Sequence, residues 1–210
     1  MKIIVISSVS VLASETVVVN QLFREGLELF HLRKPGFSTK LLEEYIGQIY
    51  PQYRNRIVLH SKHKLALQFN LNRIHLTKKH KKRKLRTWLW IRYLSSRIPD
   101  LKISASFHSI NSIELDSSAY EYVFLSPVFD SVSKSNYKGK YNSENMPGLL
   151  GNIKHDVVAL GGVDSDKIDR VYDLKYAGIA VHGAIWKSNN PIEKFKEILK
   201  ACEQKNTPLA

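Results

Sequence analysis

The sequence predicts an α/β protein of the (β/α)8 TIM-barrel class, a single domain spanning residues 1–210. Three observations lead there. Short apolar runs alternate with helical patterns along the whole chain. Most of the runs are near-continuous rather than alternating, as strands covered on both faces of a parallel sheet are. Two consecutive late runs end in glycine: Val157-Val158-Ala159-Leu160-Gly161-Gly162, then Gly178-Ile179-Ala180-Val181-His182-Gly183, with one short helix pattern from Asp164 to Asp173 between them. After strands seven and eight, such a barrel uses this arrangement to hold phosphate. Glycines let backbone N–H groups approach an anion with no Cβ in the way. Gly161, Gly162, His182 and Gly183 are therefore the candidate phosphate site, and a phosphorylated small molecule the expected ligand.

The elements follow in order. Lys2–Ser7 reads as strand one, too short for a secretory signal. Ser14–Gly26 is a helix with Ser14 as N-cap and Gly26 as its stop. Leu27–Arg33 is strand two. Phe37–Tyr50 is a helix opened by Ser38, with Leu41, Leu42, Tyr45, Ile46 and Ile49 on one face. Arg56–His60 is strand three, Lys64–Phe69 a short helix and Arg73–Leu76 strand four. Leu101–Phe107 is strand five, followed by a brief helix at Asn111–Asp116. Glu121–Ser126, Asp156–Gly161 and Tyr176–Val181 are strands six to eight, and Pro191–Cys202 is the closing helix, with Pro191 in its first turn. Two segments break the rhythm. Thr77–Ile98 is basic and then aromatic. Phe129–Pro147 is long and polar, and following strand six it is expected to form a mobile cover at the barrel mouth.

The 210 residues carry a net charge of +13, from 32 Lys and Arg against 19 Asp and Glu. More than half of that excess sits in one run: Lys78, Lys79, Lys81, Lys82, Arg83, Lys84 and Arg86. With Trp88, Trp90 and Tyr93 beyond it, the run could serve an anionic polymer such as nucleic acid. The preferred reading is a solvated basic turn entering a helix whose Trp88, Ile91 and Leu94 pack on the barrel or on a second copy in a homodimer. No apolar run is long enough for a membrane span. The single Cys202 falls on the apolar face of the last helix with Ile192, Phe195, Ile198 and Leu199, which points to a buried thiol and a reducing, cytoplasmic setting.

Active sites of these barrels lie at the carboxyl ends of the strands. Those ends read His31-Leu32-Arg33, His60-Ser61, His75, Phe107-His108-Ser109, Ser126-Pro127-Val128-Phe129, Gly161-Gly162 and His182-Gly183. Five of the eight histidines fall there, while Asp130 is the one evident carboxylate. His108 is the candidate catalytic acid/base, because an imidazole takes and returns a proton near neutral pH. Histidines at a barrel mouth also suit Zn²⁺, but the chain has no His-x-His pair and no Asp placed at strand eight, so no metal site is assigned.

These pieces, in this order and spacing, resemble the thiamin phosphate synthase/TenI family over nearly the whole chain. The carriers are Leu32-Arg33, Ile74-His75-Leu76, Ser104-Ala105-Ser106-Phe107-His108-Ser109, Tyr122-Val123-Phe124-Leu125-Ser126-Pro127-Val128-Phe129, Ser131-Val132-Ser133-Lys134 and Ala159-Leu160-Gly161-Gly162-Val163. The resemblance implies a barrel holding thiazole phosphate. Its synthases join that compound to a pyrimidine pyrophosphate with Mg²⁺ on the pyrophosphate, and its TenI-type members bind thiazole phosphates, some catalysing a proton shift in the ring. It also implies substrate contacts from Arg33, Ser131, Ser133 and Lys134, while His31 and His60, from their places at neighbouring strand ends, are candidates to line the same substrate pocket. Three departures stand out. The pattern Gln-x-Arg-x-Lys is His31-Leu32-Arg33-Lys34-Pro35, Asn-Asp is His60-Ser61, and the aspartate of His-x-Gly-x-x-Asp is His80. Without those carboxylates Mg²⁺ lacks its oxygen ligands. The expectation is accordingly a TenI-like thiazole tautomerase using His108, with no cofactor. Thiamin phosphate synthase is the alternative, and Mg²⁺ would belong only to it.

Overall fold

In the computed structural model, which describes residues 1–10, 12–130 and 139–206, eight strands run in chain order around a closed barrel. They are β1 (Lys2–Ile6), β2 (Leu29–Leu32), β3 (Ile57–Leu59), β4 (Arg73–Leu76), β5 (Lys102–Phe107), β6 (Tyr122–Leu125), β7 (Val157–Leu160) and β8 (Gly178–Val181). The helices that alternate with them are α1 (Glu15–Arg24), α2 (Thr39–Gly47), α3 (Leu65–Gln68), α4 (Lys78–Lys82), α5 (Lys84–Ser95), α6 (Ile110–Glu114), α7 (Met146–Gly151), α8 (Ile168–Asp173), α9 (Gly183–Trp186) and α10 (Pro191–Asn206). The barrel expected from the apolar runs is thus present, with β8 parallel to β1 and Ile4 opposite Ala180. Contacts group the chain into two compact units, Met1–Val5 with Phe107–Ala210, and Ile6–Ser106.

In the Ile6–Ser106 unit, β2 pairs with β3 so that His31 lies opposite Val58, and β4 pairs with β5 so that His75 lies opposite Ser104. Helix α1 buries Val19, Leu22 and Phe23, and α2 buries Leu42, Tyr45 and Ile46, the i, i+3, i+4 stripes of core-facing helices. Ser38 caps α2 as expected, accepting from Leu41 N at 3.2 Å. Ser14 stands before α1 but makes no side-chain cap, because its backbone (φ −99°, ψ 7°) is not in the extended conformation a capping side chain needs. Gly26 ends the helical stretch at φ 100°, as its identity suggested.

The basic segment is more ordered than a turn. It forms two helices, α4 and α5, broken at Arg83, whose φ of −104° and ψ of 55° leave the helical region. Leu94 is buried as expected, but Trp88 is 53% exposed and does not pack inward. The apolar residues of α5 are spread around its circumference, so no single stripe seats it. In the other unit, α10 buries Phe195, Ile198 and Cys202, and β6, β7 and β8 carry a core of Phe124, Val158 and Ile179. Helix α7 begins at Met146, inside the segment expected to be a polar cover, and Gly139 N–H donates to Asp130 Oδ1 at 2.7 Å. No helix among the described residues is long and apolar enough to cross a membrane.

Candidate active site

Three neighbouring strands of the Ile6–Ser106 unit bring His31, His60 and His75 together, all buried, with one ring nitrogen of each within 4.8 Å of the others. His31 Nδ1 and His60 Nε2 share a hydrogen bond at 2.8 Å, and the His60 and His75 rings stack at 4.2 Å. His75 has Ser104 Oγ 2.8 Å from Nδ1 and Ser106 Oγ 2.7 Å from Nε2, so both of its nitrogens are engaged. Burial, and then the neighbouring His75, holds the His31 and His60 imidazoles well below the ordinary histidine range. Burial, with His63 next, lowers His75 to about 3. The cluster is therefore a polar but uncharged network near neutral pH.

A cavity of about 980 Å³ opens in the same unit. The cations Arg33, Lys62, Lys64, Lys79, Arg83 and Arg86 line it, together with the rings of His60, His63, His80 and Trp90. No carboxylate among the described residues lines it. The backbone of Arg33 is clamped by Ser7, whose Oγ accepts from Arg33 N at 2.8 Å and lies 3.0 Å from Arg33 O. Lys34 also borders the cavity, but its ammonium is spent on a buried ion pair with Glu15 and a hydrogen bond to Ser10 O at 3.0 Å. His63 is buried, and its Nε2 has no hydrogen-bond partner among the described residues; burial, then His80, lowers it to about 4. The ring of His80, 4.9 Å from that of His63, is fixed by Thr77, whose backbone N–H donates to His80 Nδ1. Burial first, then Lys79 and Arg83, depresses the His80 imidazole.

The remaining candidates lie in the other unit. Gly161 and Gly162 adopt φ values of 97° and 68°. A Cβ on Gly162 would stand 2.3 Å from Asp130 O and 2.7 Å from Phe129 C, so the chain's own packing already requires glycine there. Gly183 opens α9, directly after His182. His108 is exposed and its Nδ1 donates to Ser126 O at 2.9 Å, which leaves Nε2 as the lone-pair nitrogen of the neutral ring. Ser131, Ser133 and Lys134 fall outside the described residues. Sequence reasoning overlooked Lys62, His63, Lys64 and Trp90 as lining of one cavity, and the Lys34–Glu15 pair. The signal that could have found the cavity was the seven-cation run itself, whose Lys79, Arg83 and Arg86 border it.

The family description "Thiamine monophosphate synthase" matches residues 3–185. The chain belongs to that family. A thiamine-phosphate synthase from Anoxybacillus flavithermus is 22% identical over 202 residues, covering 92% of this chain and 89% of that protein. One from Streptococcus agalactiae is 22% identical over 196 residues, covering 89% and 84%. Among solved structures, a thiamine phosphate pyrophosphorylase from Bacteroides thetaiotaomicron is 28% identical with a TM-score of 0.75, covering 98% of this chain and 99% of that one. A thiamine phosphate pyrophosphorylase from Pyrococcus furiosus, 19% identical with a TM-score of 0.75 and covering 97% and 96%, shares the fold.

The synthase resemblance implies Mg²⁺, and the cavity tests it. Mg²⁺ takes hard oxygen ligands, usually with one or two carboxylates. The described lining offers ammonium, guanidinium and imidazole groups, with only the neutral hydroxyls of Thr39, Ser61, Thr77 and Thr87 as side-chain oxygen donors and no carboxylate to anchor the ion. These residues do not fit Mg²⁺. The buried imidazoles are borderline-soft donors that suit Zn²⁺ better, but both nitrogens of His75 are already committed to serines.

Proposed function

We propose that this chain is a transferase of thiamin synthesis that joins hydroxymethylpyrimidine pyrophosphate to thiazole phosphate. The observation that carries the reading is the cavity with seven lining cations, six of them outside any ion pair among the described residues, and no described carboxylate, in a chain whose relatives are named thiamine-phosphate synthase. The tautomerase preference drawn from the sequence gives way to this alternative, because nothing in the relatives' names supports it. In the reaction, the thiazole nitrogen lone pair forms a C–N bond to the pyrimidine methylene. The C–O bond to diphosphate breaks, and its electron pair leaves on the diphosphate. The attacking nitrogen carries no proton, so this step asks no base of His108.

In this reading Arg33 and its cationic neighbours hold the diphosphate, His60 borders it, and His31 supports His60 through their shared hydrogen bond. Thiazole phosphate is assigned to the amides of Gly161, Gly162 and Gly183 with His182 beside them, and to Ser131, Ser133 and Lys134. No metal site is assigned. Residues 1–210 are taken as one working domain in a reducing cytoplasm, the setting that a composition with a single buried cysteine fits. The test incubates purified protein with the two substrates and measures thiamin phosphate, with thiazole tautomer conversion followed in parallel. Product formation is expected. Tautomer conversion without product, abolished by His108→Gln, would replace the synthase reading.

A further inference from the structure

We propose that the Ile6–Ser106 unit takes its diphosphate directly on protein cations, with no divalent metal ion, and that the corner between α4 and α5 supplies the charge a metal would otherwise bring. The inference rests on the synthase reading only for the identity of the diphosphate carrier.

Arg33, Lys62, Lys64, Lys79, Arg83 and Arg86 border one cavity, and none of them forms an ion pair with a carboxylate among the described residues. Six like charges around one cavity repel one another unless an anion sits among them. Lys34, at the same rim, is paired with Glu15, so the unpaired set is not simply what every lysine of this unit does. Helix α5 makes a second, independent statement. Its twelve residues begin with Lys84 and Arg86 in the first turn and no acidic residue, and Arg83 stands at its N-cap. Cations there oppose the positive end of the helix dipole, an arrangement an anion at that end would reverse. The third observation is His63, buried in the lining with Nε2 unpartnered among the described residues: protonated at Nε2 it donates to a phosphate oxygen, and in the other tautomer it accepts from a water bridging to one. Arginine suits this task because its planar fork matches phosphate bidentately. Trp90 adds an aromatic surface at the same rim.

The experiment titrates wild-type protein with inorganic pyrophosphate in EDTA, and again in Mg²⁺. Binding is expected in EDTA, unchanged or weakened by Mg²⁺, which competes for the free anion. Arg83→Ala/Arg86→Ala should weaken it at least about tenfold with the folded circular dichroism retained. Lys62→Gln/Lys79→Gln is the second variant should the first fold poorly, with the same expected loss. Binding that appears only with Mg²⁺, or that both variants leave intact, would overturn the inference. So would a single-stranded oligonucleotide that displaces pyrophosphate with a steep salt dependence, since the run would then serve a polymer. A product assay separates the two claims. Metal-free pyrophosphate binding without thiamin phosphate formation keeps this inference and removes the synthase reading. Thiamin phosphate formed only with Mg²⁺ does the reverse.

Discussion

The backbone N–H of Thr77 donates to Nδ1 of His80 across 3.1 Å, and this bond fixes the first turn of α4. A carboxylate at position 80 would accept the same bond and could also reach a metal. Histidine keeps the cap and gives up the metal. Ser61→Asp/His80→Asp should therefore make pyrophosphate binding respond to Mg²⁺, tightening it about tenfold or more over EDTA. Calorimetric titration checks this, and a double variant indifferent to Mg²⁺ would show that the two positions do not limit metal binding.

Lys34 and Glu15 form an ion pair in which both side chains are only 1% exposed. Glu15 Oε1 also accepts from Ser8 N at 2.9 Å, while burial pushes the Glu15 carboxyl up against the pull of Lys34. Removing one partner strands the other charge in the interior. Glu15→Gln should cost about 3–5 kcal/mol in urea unfolding, and Glu15→Gln/Lys34→Met should recover part of it. Strict additivity of Glu15→Gln and Lys34→Met, each also measured alone, would mean that the pair is not coupled.

The buried histidines make the fold sensitive to acid. An unfolded histidine titrates near 6.5, whereas His63 and His75 are held to about 4 and about 3. Between those values the unfolded chain binds more protons. Stability is thus fully present above about pH 6.5 and drains as the pH falls toward the folded values, by up to about 1.4 kcal/mol per pH unit for each histidine. Urea midpoints between pH 7.5 and 5 should follow that slope, and His63→Asn should flatten it. A variant slope equal to that of the wild type would show that His63 is not responsible.

Gly162→Ala should destabilise the protein by about 1–3 kcal/mol, because φ is 68° and the new Cβ would meet Asp130 O at 2.3 Å. If the amides at this turn also hold thiazole phosphate, affinity falls in the variant molecules that remain folded. Calorimetry under conditions where circular dichroism reports full folding separates the two effects. Unchanged affinity there would leave Gly162 a purely conformational role.

The barrel was legible because its strands are the apolar runs themselves, and Gly26 and Ser38 mark helix ends by chemistry that acts locally. The gathering of histidines at the strand ends was legible too, but their burial and mutual hydrogen bonding were not. All four residues of β2 are buried, so the run has no alternation to say which of them faces the barrel interior, and only the pairing of β2, β3 and β4 brings positions 31, 60 and 75 together. The break at Arg83 was hidden for a different reason. Lysine and arginine are good helix formers, and neither glycine nor proline interrupts the run. The cavity depends on α4, α5 and the break between them setting Lys79, Arg83 and Arg86 beside Arg33, which follows β2, and Lys62 and Lys64, which follow β3, a juxtaposition no local pattern encodes.

Cys202 is the chain's single cysteine, and in α10 it is 1% exposed beside the layer formed by Phe195 and Ile198. A thiol reagent cannot reach it until that helix lifts away, so the wild-type chain carries its own clock for one local event. The labelling rate under native conditions reads how often α10 detaches, with no engineered probe. Because α10 packs on α8 and α9, a ligand seated at Gly183 should slow that clock, while pyrophosphate held in the Ile6–Ser106 unit should leave it running at the same pace.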